Sequence, residues 1–108
     1  MAHYLVRAVP RSERLAELAG QLDGGAFLGL QPFGRALTRG LRDARVEETG
    51  SAVWEEEDYC SPPLAEERAA VLDSYFDGIT VERVAKGGGW SRIQSLPRLF
   101  PEPTDDGR

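Results

Sequence analysis

Cysteine, histidine, methionine and lysine each occur once in this 108-residue chain. With Cys60 alone, no internal disulfide can form, which fits a reducing compartment and predicts a cytoplasmic protein. His3 is the only imidazole, so a zinc site of the usual cysteine and histidine kind lacks ligands, and neither metal nor cofactor is expected. Long apolar runs are missing as well. No segment approaches the roughly 20 apolar residues of a membrane span, and MAHYLVRAVPRSER is too short an apolar run, broken by Arg7, for a secretory leader. No membrane association is expected. A basic footprint is also missing: the net charge is −5, which argues against general nucleic-acid binding.

What is present is ordinary for a folded domain. Hydrophobic residues make up 41% and charged residues 29%. A chain of this size buries roughly two-thirds of the surface its unfolded form exposes, enough to fold without a staple. The charges are segregated. Arg35, Arg39, Arg42 and Arg45 face only Asp43 within 35–45, whereas 47–58 holds six acids and no base. The spacing of Arg35, Arg39 and Arg42 puts them on one helix face. Pairing with the acidic stretch is the preferred reading of both.

HYLVRAV (3–9) reads as a strand ended by Pro10. Ser12 is then an N-cap for a helix striped by Leu15, Leu18, Ala19 and Leu22 and stopped at Gly24-Gly25. Segment 26–41 fits a short helix or an irregular connection better than a strand, because Gly29, Gly34 and Gly40 weaken a helix. DARVEETGSAVWEEEDY (43–59) reads as a hairpin turning at Thr49-Gly50-Ser51. That register sets Val46 opposite Trp54 and leaves Arg45, Glu47, Val53, Glu55 and Glu57 mostly outside. Ser61-Pro62-Pro63 opens a second helix striped by Ala65, Ala69, Leu72 and Phe76 and ended at Asp77-Gly78. ITVERV (79–84) is a strand. A glycine loop and the aromatic extension 90–100 follow, with Pro97 interrupting any helix there. The prediction is one α+β domain over 1–100 with a flexible tail at 101–108. Its order is βαββαβ, the ferredoxin-like arrangement: an antiparallel sheet, both helices on one face and a C-terminal extension.

Three groups of residues are candidate sites. The run Glu55-Glu56-Glu57-Asp58 alternates between strand faces, so its carboxylates do not converge on one ion, although Glu55 and Glu57 share a face. Solvation of a strand edge or pairing with arginine is the expected role. Cys60, close before a helix start, is pulled toward thiolate by the helix dipole and away from it by the acids. It is read as a small, semi-buried side chain. His3, Tyr4, Trp54, Tyr59 and Cys60 are the candidate lining of a ligand pocket. Lys86, Gly87, Gly88, Gly89 and Arg92 form a glycine-rich loop able to hold phosphate, though it matches neither GxxxxGK[ST] nor GxGxxG.

No residue set names a reaction. The chain is expected to be a non-catalytic binding or regulatory module that forms a homodimer through its sheet face, with a protein partner as a further possibility. The free face of the sheet needs cover from the C-terminal extension or from a second subunit. Two alternatives are a cofactor-free enzyme of the dimeric α+β barrel type, and an accessory protein presenting its acidic and C-terminal aromatic surfaces.

Overall fold

A computed structural model describes residues 2–100, so the tail expected at 101–108 lies outside the described residues. Strand β1 (Ala2–Pro10) pairs antiparallel with β3 (Ala52–Asp58) on one side and β4 (Phe76–Val84) on the other. Strand β2 (Arg45–Val46) lies outside β3, giving an open antiparallel sheet of order β2-β3-β1-β4. Helices α1 (Leu15–Asp23) and α2 (Gly34–Arg42) connect β1 to β2. Helix α3 occupies 65–75 between β3 and β4, with a π-helical turn at Arg68–Leu72 in its middle. Helix α4 (Gly88–Ile93) follows β4. None of the described helices is long and apolar enough to cross a membrane.

Strand alternation assigns the two faces. Tyr4, Val6 and Ala8 stand with Ala52 and Trp54 toward α1, α2 and α3, where Leu18, Leu37 and Leu72 close the main core. At its centre the rings of Trp54 and Phe76 lie 5.3 Å apart at 46°. The opposite face carries Leu5 and Val53, which α4 covers through Ile93 with Trp90 and Leu96 alongside. Cover for that face therefore comes from the chain's own C-terminal extension. Beyond α4 the chain runs along β2. Val46 N–H donates to the Pro97 carbonyl and Leu99 N–H to the Ala44 carbonyl. One sheet edge is thus occupied, while the outer edge of β4 has no strand neighbour among the described residues.

Several local expectations shift. The hairpin turns one residue earlier than expected: Glu47 N–H bonds the Ser51 carbonyl, so Val46 faces Ala52 and Arg45 faces Val53. The sides of the strands are unchanged, but Val53 and Glu55 are buried rather than outside, because α4 lies over them. Ser12 belongs to a 3-10 turn, Ser12–Arg14, ahead of α1 and is not its cap. Helix α3 begins at Ala65, not at Ser61, and Phe76 opens β4. Ala69 is exposed, and the buried stripe of α3 runs through Val71, Leu72 and Tyr75. The π turn inserts a residue into the helical period and moves the stripe off the 3.6-residue spacing.

Glycine matters most where α2 meets β3. A Cβ on Gly40 would lie 2.8 Å from Trp54 Cδ1 and 3.2 Å from the Glu55 carbonyl oxygen, whereas one on Gly20 would meet nothing within 4 Å. Trp54 is fully buried and has no room to retreat. Gly40→Ala is therefore expected to destabilise by about 1–3 kcal/mol through overpacking. Gly20→Ala, in the exposed body of α1, should instead stabilise by up to about 1 kcal/mol. Thermal unfolding of the two variants checks both signs.

Candidate functional site

The acidic run divides between the two faces of β3, as the pleat requires. Glu55 and Glu57 point toward α4, Glu56 and Asp58 toward the other helices. Their surroundings are not those of a solvated edge: β3 is an inner strand, and Glu55, Glu56 and Asp58 are all buried. Nor, among the described residues, does an ion pair join them to arginine. Arg7 binds Glu47, Arg42 binds Asp23, Arg92 binds Glu82 and Arg98 binds Asp43.

On the α4 face, the Glu55 carboxylate accepts N–H bonds from Gly87 at 2.8 Å, Gly89 at 2.8 Å and Trp90 at 3.1 Å. Successive N–H groups curled around a point form an anion nest. The expected phosphate loop is such a nest, but it holds the chain's own carboxylate. Gly89 allows the approach, since a Cβ there would lie 2.9 Å from Glu55 Oε1. Of the other residues assigned to phosphate, the Gly88 N–H bonds the Ala85 carbonyl and Arg92 bonds Glu82 at 2.7 Å. Lys86 alone is turned to an open cleft. That cleft, of about 250 Å³, is lined by His3, Arg39, Glu55, Glu57, Lys86 and Trp90 among others. His3 sits between two acids, with Nδ1 3.6 Å from Glu55 and Nε2 3.9 Å from Glu57.

On the other face lies a buried carboxyl cluster. Trp54 Nε1–H donates to Glu56 Oε1 at 2.9 Å. Glu67, fully buried, reaches in from α3. Asp58 Oδ2 accepts the N–H of Leu64 at 2.6 Å and of Cys60 at 3.1 Å. That bond holds Leu64 at φ 64°, a left-handed conformation costly for leucine, just before α3 begins. Cys60 Sγ lies 3.8 Å from Glu67 Oε1. Burial pushes the Glu56 carboxyl well above the usual range, and the adjacent acids add to this although Trp54 opposes it. Burial, then Asp58, raises Glu67 to about 7. For Asp58 burial acts upward, but hydrogen bonds from Glu67, Leu64 and Cys60 outweigh it and hold the group low. A backbone hydrogen bond at Glu66 favours the Cys60 thiolate, yet burial and the charges of Asp58 and Glu67 win and raise the thiol.

The expected pocket residues are thus distributed. His3 belongs to the α4-side cleft. Tyr59 and Cys60 line two further clefts, one of about 170 Å³ with Arg35 and Glu66, the other of about 190 Å³ with Tyr4 and Arg83. Trp54 is fully buried in the core and lines neither. His3 and Cys60 serve opposite sides of the sheet and do not form a pair. Glu67 is the residue that sequence reasoning passed over, whereas Glu56 reads there only as part of a solvated or arginine-paired run. For Glu67 a signal existed: it lies three residues after Leu64 and four before Val71, an acid on an apolar helical stripe. Comparison with known proteins finds no matching family model, curated protein or solved structure.

The cluster sets a pH dependence. Glu56 and Glu67 hold their protons in the folded chain at pH values where the unfolded chain, with ordinary carboxyls near 4.5, has released them. Their contribution is therefore full below about pH 4.5 and declines as pH rises to about 7 and above. Asp58 acts in the opposite sense, with stability lost as pH falls through its lowered value. Urea unfolding in chelator-containing buffer is expected to show a loss on the order of 1–3 kcal/mol between pH 5 and pH 8. Glu67→Gln should flatten that slope, and an unsloped profile for the parent chain would contradict the assignment.

Proposed function

We propose that the chain is a non-catalytic binding module of ferredoxin-like βαββαβ architecture, whose ligand is a small anionic metabolite held by Arg39 and Lys86 beside Trp90 in the cleft of about 250 Å³. The order β2-β3-β1-β4 with every neighbour antiparallel, and α1, α2 and α3 on one face, supports the architecture. The observation carrying the ligand class is that Arg39 and Lys86 both line this cleft and, among the described residues, make no ion pair. Trp90 offers an apolar wall beside them. At about 250 Å³ the cleft is smaller than the usual range for drug-sized ligands, which favours a compact acid over a nucleotide. Glu57 on the same wall selects against a second negative charge and favours a ligand with one anionic group.

The lone thiol supports a cytoplasmic setting. Self-association is best supported at the β4 half of the sheet, where Val9 and Val81 are exposed and the strand edge is unpaired among the described residues. The accessory alternative loses its acidic surface, because three of the four acids in the run are buried. The enzyme alternative retains one supporting feature, His3 between two carboxylates inside a cleft. In that reading His3 is the acid–base group.

A thermal-shift screen of small carboxylates and phosphates, followed by calorimetry on any hit, tests the binding reading. Arg39→Ala and Lys86→Ala are each expected to weaken binding about tenfold, the loss of one charge-assisted hydrogen bond. His3→Ala should leave binding within a few-fold under the module reading, whereas abolished turnover in that variant would establish the enzyme instead. Affinity unmoved by both cation variants would remove the cleft from consideration.

A further inference from the structure

The helix-side cluster borders the proposed ligand cleft only through Glu56 and raises a separate question. Glu56 is 2% exposed; Oε1 takes the Trp54 N–H, and Oε2 is buried without a hydrogen-bond donor. Glu67 is 0% exposed, and its Oε2 is in the same position. The two carboxyls adjoin one another. Adjoining buried carboxyls whose Oε2 atoms, among the described residues, meet no donor outside the cluster need either a shared proton or a cation between them. Next to them, one donor atom each from Asp58, Cys60 and Glu67 lies within 4.8 Å of the others.

We infer that Asp58, Cys60 and Glu67, with Glu56 adjoining Glu67, form a site for a zinc-class divalent cation. A tetrahedral ion with metal–sulfur and metal–oxygen bonds of about 2.3 and 2.0 Å separates its sulfur and oxygen ligands by about 3.5 Å. Cys60 Sγ and Glu67 Oε1 stand 3.8 Å apart, so small side-chain movements close the shell. Sulfur among the donors selects zinc, cobalt or ferrous iron over magnesium and calcium, which take oxygen alone. The ligands are oriented from behind: backbone N–H groups of Cys60 and Leu64 fix Asp58, and the Trp54 indole fixes Glu56. Asp58 and Cys60 also line the 170 and 190 Å³ clefts, which give an ion a path from solvent. On binding, Cys60 and Glu67 surrender any proton they carry to solvent, and the cation takes over its role.

The test is a titration of the chelator-stripped, full-length chain with Co²⁺ and then Zn²⁺ at pH 7.5. It is read by thiolate-to-cobalt absorption in the near ultraviolet and by native mass. One equivalent of Co²⁺ with that absorption, displaced by Zn²⁺, is the expected result. Cys60→Ser should abolish the absorption, and both Cys60→Ser and Glu67→Gln should weaken Zn²⁺ by about tenfold or more. His3→Ala should change neither, which separates this site from the imidazole and acids on the other face. Circular dichroism checks folding, and Asp58→Asn replaces Glu67→Gln if the latter does not fold. No bound ion at tenfold excess, or binding that Cys60→Ser leaves intact, overturns the inference and leaves protons as the only neutralising species.

Discussion

Three backbone N–H groups converge on the Glu55 carboxylate, and the far side of the sheet is organised by that contact. The grip fixes the 87–90 loop, and with it the start of α4, directly against β3. Helix α4 spans only Gly88–Ile93, too short to be stable by itself, so its position depends on what it docks to. Once it is placed, Ile93 seals Leu5 and Val53, and the chain beyond reaches β2 and occupies that edge. A buried carboxylate is costly unless its oxygens are bonded. Here both oxygens are bonded, which is why an acid on an inner strand stabilises this layer.

The neighbouring acid on the strand is treated in the opposite way. Glu56 is one residue along and points to the other face, where the indole of Trp54 satisfies one oxygen and, among the described residues, the second has no hydrogen-bond partner. Two acids adjacent in sequence thus have opposite surroundings: one has both oxygens bonded by backbone N–H groups, the other is pushed toward its neutral form by burial. Asp58 returns to the first kind, with two backbone donors that also set the turn into α3. The pleat creates this difference, and the elements packed on each face decide its direction.

Much of the layout was legible in the sequence because it rests on local pattern. The stripe of α1, the β-branched strand at 79–84 and the glycine turn of the hairpin all depend on residues within a few positions of one another. The failures share a cause: each depended on something distant. Val53 and Glu55 read as outward because α4, some 35 residues later, cannot be seen from β3. The stripe of α3 was misphased because a π turn has no periodic signature. The glycine loop read as an anion site, and so it is, but its anion is a side chain remote in sequence. Glu67 was readable in principle, as a charge on an apolar stripe. The apparent stripe through Ala65 and Ala69 hides it, because that stripe lies on a different face of the helix.

The two polar regions also share a boundary. Ala36 and Glu57 line both the 250 Å³ cleft and the 170 Å³ cleft, while Arg39 borders the first and Arg35 the second. The arginines stand one turn apart on α2, so any rigid movement of that helix shifts both cations together. Gly40 holds the same helix against Trp54, whose indole fixes Glu56. Helix α2, Trp54 and Glu56 are thus in contiguous contact from one cleft to the other. Sites that share a wall and a helix couple whenever a ligand at one prefers a particular position of that helix.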